Sequence, residues 1–144
     1  MKKYIGIIAV IVLVIALIYF FRFAKGRPKT VDFTVVEEDN IPAQIVEILP
    51  NYRMKEKALV CKVNDEIYVV VTRGEKSSAG YSVDIKKILL ETIDNEQTVR
   101  VIAEFIDPKP GEVQAQVLTY PFIVVKTDLK ELPQKVILDK EYKK

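Results

Sequence analysis

Residues 4–21 read YIGIIAVIVLVIALIYFF, eighteen consecutive positions without a charge. No other feature limits the folding of the chain as strongly. A helix over this run spans roughly 27 Å, about the hydrocarbon thickness of a bilayer. Tyr4 stands at one end and Tyr19, Phe20 and Phe21 at the other, where aromatic side chains favour the headgroup boundary. A buried core helix is the bland alternative, and eighteen uncharged residues at the N-terminus argue against it. The competing reading is a cleaved signal peptide with Lys2-Lys3 as its n-region. The apolar run is long for that purpose, and Phe20, Phe21, Arg22 and Phe23 offer no small-x-small cleavage site. The expectation is an uncleaved single-pass anchor over residues 1–23, in contact with a lipid bilayer through residues 4–21.

Once this segment is set aside, the composition changes sign. From Thr30 onward 16 Lys and Arg face 20 Asp and Glu, a net charge of −4, so the basic excess sits around the apolar run. Arg22, Lys25, Arg27 and Lys29 form a basic collar, mostly within a short linker over residues 24–30. Such a cluster attracts anionic lipid, and it also acts as an orientation signal. Counted against Lys2 and Lys3, it favours a cytoplasmic C-terminal side, although whole domains are translocated despite flanking charge.

The chain has no His and one Cys. That excludes histidine-dependent triads, disulfide frameworks and thiolate clusters. An acidic domain without a basic stripe argues against nucleic acid. Cys61, within ALVCKV, reads as a small apolar core residue. Glu37, Glu38 and Asp39 are consecutive, so their carboxylates do not converge, and they read as solvated charge. No catalytic residue, cofactor or metal is expected, and the chain is not expected to be an enzyme.

The soluble part carries one helical and several strand patterns. Residues 31–36 (VDFTVV) alternate as a first strand. In residues 43–49 Ile45, Ile48 and Leu49 recur at helical spacing, with Pro42 in the first turn and Pro50-Asn51 stopping or bending the helix. Residues 58–63 and 67–73 flank Asn64-Asp65-Glu66 as a hairpin. Residues 74–80 (GEKSSAG) are a loop. Tyr81, Val83 and Ile85 alternate in the next strand, and Asp94-Asn95-Glu96 breaks it. Val99, Val101, Ala103 and Phe105 alternate in another. Residues 107–111 (DPKPG) form a loop, since two prolines and a glycine do not fit inside a ladder. Residues 113–126 carry the longest β pattern, interrupted at Pro121. The fold class expected is mainly β (α+β): a small antiparallel β-sandwich or roll with one short helix, preceded by one transmembrane helix. The β domain is placed at residues 31–127 and a charged tail at 128–144, where Val136-Ile137-Leu138 adds an edge strand or frays.

The segments GEKSSAGYSVDI (74–85), DPKPGE (107–112) and QVLTYPFIVVK (116–126), in this order and spacing, resemble the C-terminal domain of the protease complex subunit PrcB family. The lead-in FTVVEEDNIPAQIVEIL and the strand IYVVVTRG are similar to that family as well, so the resemblance covers about residues 31–127. Where that family usually has Pro-Thr-Gly-Gly-Tyr, this chain has Ser77-Ser78-Ala79-Gly80-Tyr81. The resemblance implies a non-enzymatic partner of an extracytoplasmic protease, and with it a domain outside the cytoplasm in the cell envelope.

Loop and strand-end residues are the interaction candidates: Ser78, Gly80, Tyr81, Pro108, Pro110, Gly111, Gln116, Tyr120, Pro121 and Phe122. Loops on a rigid β scaffold often form a recognition edge. The same positions also suit structure, with glycine for positive φ, proline for rigid turns and tyrosine for packing at the rim. Tyr120-Pro121 is a place where a cis bond would fix a strand kink. The Ser78–Tyr81 loop is similar to the first inhibitory loop of chagasin-type cysteine-protease inhibitors, whose other two loop motifs this chain lacks. Three functions follow: an accessory or stabilising subunit of an envelope protease, a membrane-presented protease inhibitor using loops 74–81, 107–112 and 119–122, or a structural envelope protein.

Overall fold

The computed structural model describes residues 1–24 and 27–143. Lys25 of the basic collar and linker, together with Gly26 and Lys144, lies outside the described residues. Helix α1 (Lys2–Ala24) contains the apolar run. Within Lys2–Phe23 an 18-residue window reaches a mean hydropathy of 3.0, and none of that window is buried. It is the one helix among the described residues long and apolar enough to cross a membrane.

Eight strands follow among the described residues: β1 (Lys29–Thr30), β2 (Phe33–Val35), β3 (Glu56–Val63), β4 (Glu66–Arg73), β5 (Ser82–Ile93), β6 (Glu96–Ile106), β7 (Phe122–Thr127) and β8 (Lys135–Lys143). They form two four-stranded sheets in the orders β1-β5-β6-β8 and β2-β7-β4-β3. The strand expected over residues 31–36 is divided between them. Val31 is buried and donates its N–H to the Ile88 carbonyl of one sheet. Two residues later Phe33 pairs with Thr127 in the other.

Hairpins β3–β4 and β5–β6 close with two-residue turns, Asn64-Asp65 and Asp94-Asn95, each with φ near 51° and 64°. Both central residues in the left-handed region are what the type I′ turn needs, and Asn and Asp adopt it at least cost. In β6, Val99, Val101, Ala103 and Phe105 are all fully buried, as the alternation predicts. In β5 the inward face passes from Val83 and Ile85 to Ile88, because the register shifts between Ile85 and Lys87. One extra residue is a β-bulge, and it reverses the inward set of everything beyond it.

Two cores share β4. Val69 and Val71 face the other sheet, among Ile85, Ile88, Val101 and Phe105. Tyr68 and Val70 face outward, against Ile45 and Leu49 of helix α2 (Ala43–Tyr52). A strand covered on both faces explains the unbroken apolar run IYVVV. Each of these side chains contributes about 1.5–3 kcal/mol on burial. Helix α2 runs through Pro50 to Tyr52 instead of stopping there. The proline forfeits one backbone bond, to the carbonyl of the exposed Val46.

Two expectations at the C-terminal side are corrected. Residues 113–121 are irregular, so the long β pattern contributes only the six residues of β7. And the pairing is not wholly antiparallel: β8 lies parallel to β6, Thr98 opposite Lys135 through Ile106 opposite Lys143. The chain crosses the sandwich once along β7 between these strands, so β8 must start where β6 starts. Val136 and Leu138 join the inter-sheet core, and the Tyr142 ring packs edge-on against Phe105 at 5.6 Å. Glu56 of β3 accepts from Lys140 at 2.6 Å and from Tyr142 at 3.2 Å, which closes one side of the sandwich.

Candidate interaction site

At the end of β4 the chain buries a charge. Arg73 is 2% exposed, with its guanidinium across the ends of β5 and β6. Nη1 donates to the Ser82 and Ile106 carbonyls and Nη2 to the Asp107 carboxylate, while Nε has no partner among the described residues. Its backbone N–H donates to the Pro121 carbonyl at 2.9 Å, and the Tyr81 and Phe105 rings lie 5.0 and 5.2 Å from its Cζ. One residue therefore ties the roots of the three loops that carry the candidate residues, two through its guanidinium and the third through its backbone N–H. Thr72 beside it is fully buried and donates to the Lys55 carbonyl at 2.7 Å, tying down the turn after α2.

The loops beyond these roots are laced together. Lys76 and Thr119 exchange both backbone bonds at 2.9 Å, and Ala79 donates to the Ala115 carbonyl at the same distance. The Thr119 hydroxyl donates to the Ser78 carbonyl at 2.8 Å, and the Ser78 hydroxyl to the carbonyl of Ala79. Gly80 has φ +95°, and a Cβ there would stand 2.7 Å from the Gln114 side chain and 3.0 Å from Pro108. Left-handed backbone and close approach both demand glycine. Tyr81 lies between Arg73 and Lys76, whose Nζ is 5.3 Å from the ring.

Ser78, Gly80, Tyr81, Pro108, Tyr120 and Pro121 thus come together at one end of the sandwich. The Tyr120–Pro121 bond is trans, not cis. Pro110 and Gly111 sit apart, in a turn where Glu112 N–H donates to the Lys109 carbonyl at 3.1 Å and Gly111 has φ +86°. That is the arrangement of a type II turn, and open space surrounds it. Gln116 is exposed and bonds only within its own loop, to the Gln114 carbonyl at 3.4 Å.

Tyr120 and Phe122 lead to residues the sequence did not mark as a site. With Glu38, Ile41, Val46, Leu49, Pro50 and Arg53 they line an open groove of about 320 Å³ between α2 and the start of β7. Arg53 caps the Tyr120 ring, with Cζ 4.2 Å from its centroid. The Tyr120 hydroxyl donates to Glu75 at 2.9 Å. That bond, then partial burial, holds the phenol above the ordinary tyrosine value. Val46, Pro50 and Arg53 stand at i, i+4 and i+7 of one helix face, a spacing visible only when the helix is carried past Pro50.

A second cavity, of about 280 Å³, lies at the opposite end among Lys29, Val31, Leu90, Gln97 and residues 128–131. Among the described residues no group of His, Cys, Asp and Glu is placed to hold a metal ion. Cys61 is half-buried, and burial raises its thiol above the usual range.

No curated protein and no solved structure matches the chain. The family model described as PrcB C-terminal matches residues 67–128, which run from β4 through β7 and include Arg73, Tyr81 and Tyr120 but not α1, α2 or β8. The β4–β7 stretch is thus similar to the PrcB C-terminal family over these residues.

Proposed function

We propose that the chain is a single-pass membrane protein whose β domain acts outside the cytoplasm as a non-enzymatic interaction module, an accessory or stabilising subunit of an envelope protease. The family match over residues 67–128 carries this reading. It is supported by α1, which is long and apolar enough to span a bilayer, and by loops fixed in one place on a rigid sandwich. The anchor is residues 1–23. Residues 135–143, first placed in the tail, belong to the sheet. Crosslinking through the loops in native membranes, followed by identification of the crosslinked chain, should recover a protease. Repeated recovery of other envelope proteins alone would refute the assignment.

Orientation has its own test. Ser77 is exposed and Cys61 is not freely so. Ser77→Cys in intact cells should therefore react with a membrane-impermeant maleimide. Reaction only after lysis would place the domain in the cytoplasm, where the flanking Lys and Arg alone would put it.

One observation favours a second reading, a membrane-presented inhibitor. Loops 74–81, 107–112 and 119–122 meet, with Gly80 against Pro108 and Lys76 paired to Thr119. Titration of the full chain against papain-like and serine proteases decides it. Stoichiometric loss of activity would favour inhibition, and full activity at excess would exclude it for those classes.

A further inference from the structure

We infer that the groove between α2 and β7 receives a partner polypeptide presenting an apolar side chain with a carboxylate one or two residues away. The inference rests on reading the chain as an interaction module, and it names the surface and the partner chemistry. The apolar part comes from the lining. Leu49 and Phe122 form the floor, while Val46 and Pro50 remain exposed on the helix side. About 320 Å³ is near the lower limit for a ligand pocket. It suits one or two side chains of a peptide, not a folded surface. Val117 and Leu118, 54% and 58% exposed, extend the apolar surface along the segment that leads to Tyr120.

The carboxylate comes from the charge arrangement. Among the described residues several cations of the sandwich are paired: Lys86 with Glu141, Arg100 with Glu91 and Asp139, Lys126 with Glu66, Lys140 with Glu56, whereas others such as Lys87 and Lys130 stand singly in solvent. Arg53, Lys55 and Lys57 are exposed and Lys76 is half-buried, and none of the four has a carboxylate within 4.0 Å among the described residues. Glu75 is committed to the Tyr120 hydroxyl, which holds the ring under the Arg53 guanidinium. A planar guanidinium stacked on an aromatic ring keeps its N–H edge free for a bidentate carboxylate. Glu38 stands in the same lining. Its charge sets polarity, so an incoming segment directs its carboxylate to Arg53 and keeps it from Glu38.

The test pans a random heptapeptide library displayed on phage against the full chain in neutral phosphatidylcholine nanodiscs, after depletion on empty nanodiscs. The expected peptides carry Leu, Ile, Met or Phe with Asp or Glu one or two positions away. Made synthetically, they should bind Arg53→Glu and Val46→Asp at least about tenfold more weakly. They should bind Lys130→Glu, a change at the opposite end, as they bind the parent. All three side chains are exposed, and circular dichroism in the same nanodiscs verifies that each variant is folded. Selected peptides without an acid, or with affinity unchanged in Arg53→Glu, would overturn the groove assignment while leaving an interaction module in place. Failure to enrich any peptide over empty nanodiscs would count against both.

Discussion

Arg73→Met tests the link between the buried cation and the order of the loops. The variant keeps the bulk between Tyr81 and Phe105 but deletes the donors to Ser82, Ile106 and Asp107. A buried acceptor left without its donor costs about 1–3 kcal/mol. Asp107 has 39% of its side chain exposed, so water replaces its lost partner and adds little. The unpartnered Nε is a cost that disappears with the guanidinium, which keeps the total at the low end of the range for a broken buried pair. The expected loss is about 3 kcal/mol, or roughly 10–20 °C in Tm for a domain of this size. Thermal unfolding of the full chain in detergent, followed by the far-ultraviolet strand signal, measures it. Hydrogen exchange adds the local readout, because the amides of Lys76, Ala79 and Thr119 should lose protection before those of Val99 or Val101. Asp107→Asn should cost only about 1 kcal/mol, since both carbonyls keep their donor. If Arg73→Met costs under 1 kcal/mol, or Asp107→Asn costs as much as Arg73→Met, the reasoning fails.

Gly80→Ala combines a left-handed backbone with contacts at 2.7 and 3.0 Å and should destabilise by about 2–3 kcal/mol, whereas Gly111→Ala, with similar φ but open space, should cost only about 1 kcal/mol; equal losses in urea unfolding would refute the packing account. Tyr120 should ionise above the ordinary tyrosine value in a spectrophotometric titration, and Glu75→Gln should bring it back down, because the bond to Glu75 is the largest cause of the shift. A folded-state value above the unfolded one means that this group's contribution to stability is complete below the ordinary tyrosine value and is lost as pH rises through the folded value. An unchanged titration in Glu75→Gln would contradict the bond. Full-length chain should stay in the pellet after alkaline carbonate extraction, and paired Val10→Asp and Leu13→Asp changes should release it, each charge costing about 3 kcal/mol at the helix centre. A shortened species in the supernatant of the parent would show cleavage instead of anchoring.

The fold was most readable where one strand obeyed one rule. Val99 to Phe105 alternate without interruption, and all four inward side chains are buried. The bulge at Lys86 was hidden, because an extra residue leaves the composition of β5 unchanged while reversing its faces. Helix α2 outran Pro50 because the bond lost there belongs to an exposed turn, a cost local rules overstate. The parallel β8 left no local trace, since its direction follows from how often the chain crosses the sandwich. At the candidate site, Gly80, Tyr81 and Tyr120 were legible as loop chemistry. Arg73 was not: it looked like charge at a strand end, and its burial depends on an aspartate 34 positions away. Arg53 escaped notice for the same reason, since its partner ring lies in a different loop.

The two-residue strand β1 fixes a length scale. Lys29 pairs with Leu90, while Ser82, eight positions back along β5, pairs with Ile106 beside the loops, a separation of about 26 Å. From the last residue of α1 to Lys29 the chain has a reach of no more than about 18 Å. With α1 in a bilayer as proposed, the domain is a pedestal on a short leash. Its foot is the β1 end, close to the headgroups, and with the strands upright its crown, the groove and loops, stands about 26 Å further out. In that upright pose a partner that lies flat on the membrane would pass beneath the crown. One that engages it must stand at least as tall as the sandwich, or send a segment up to meet it.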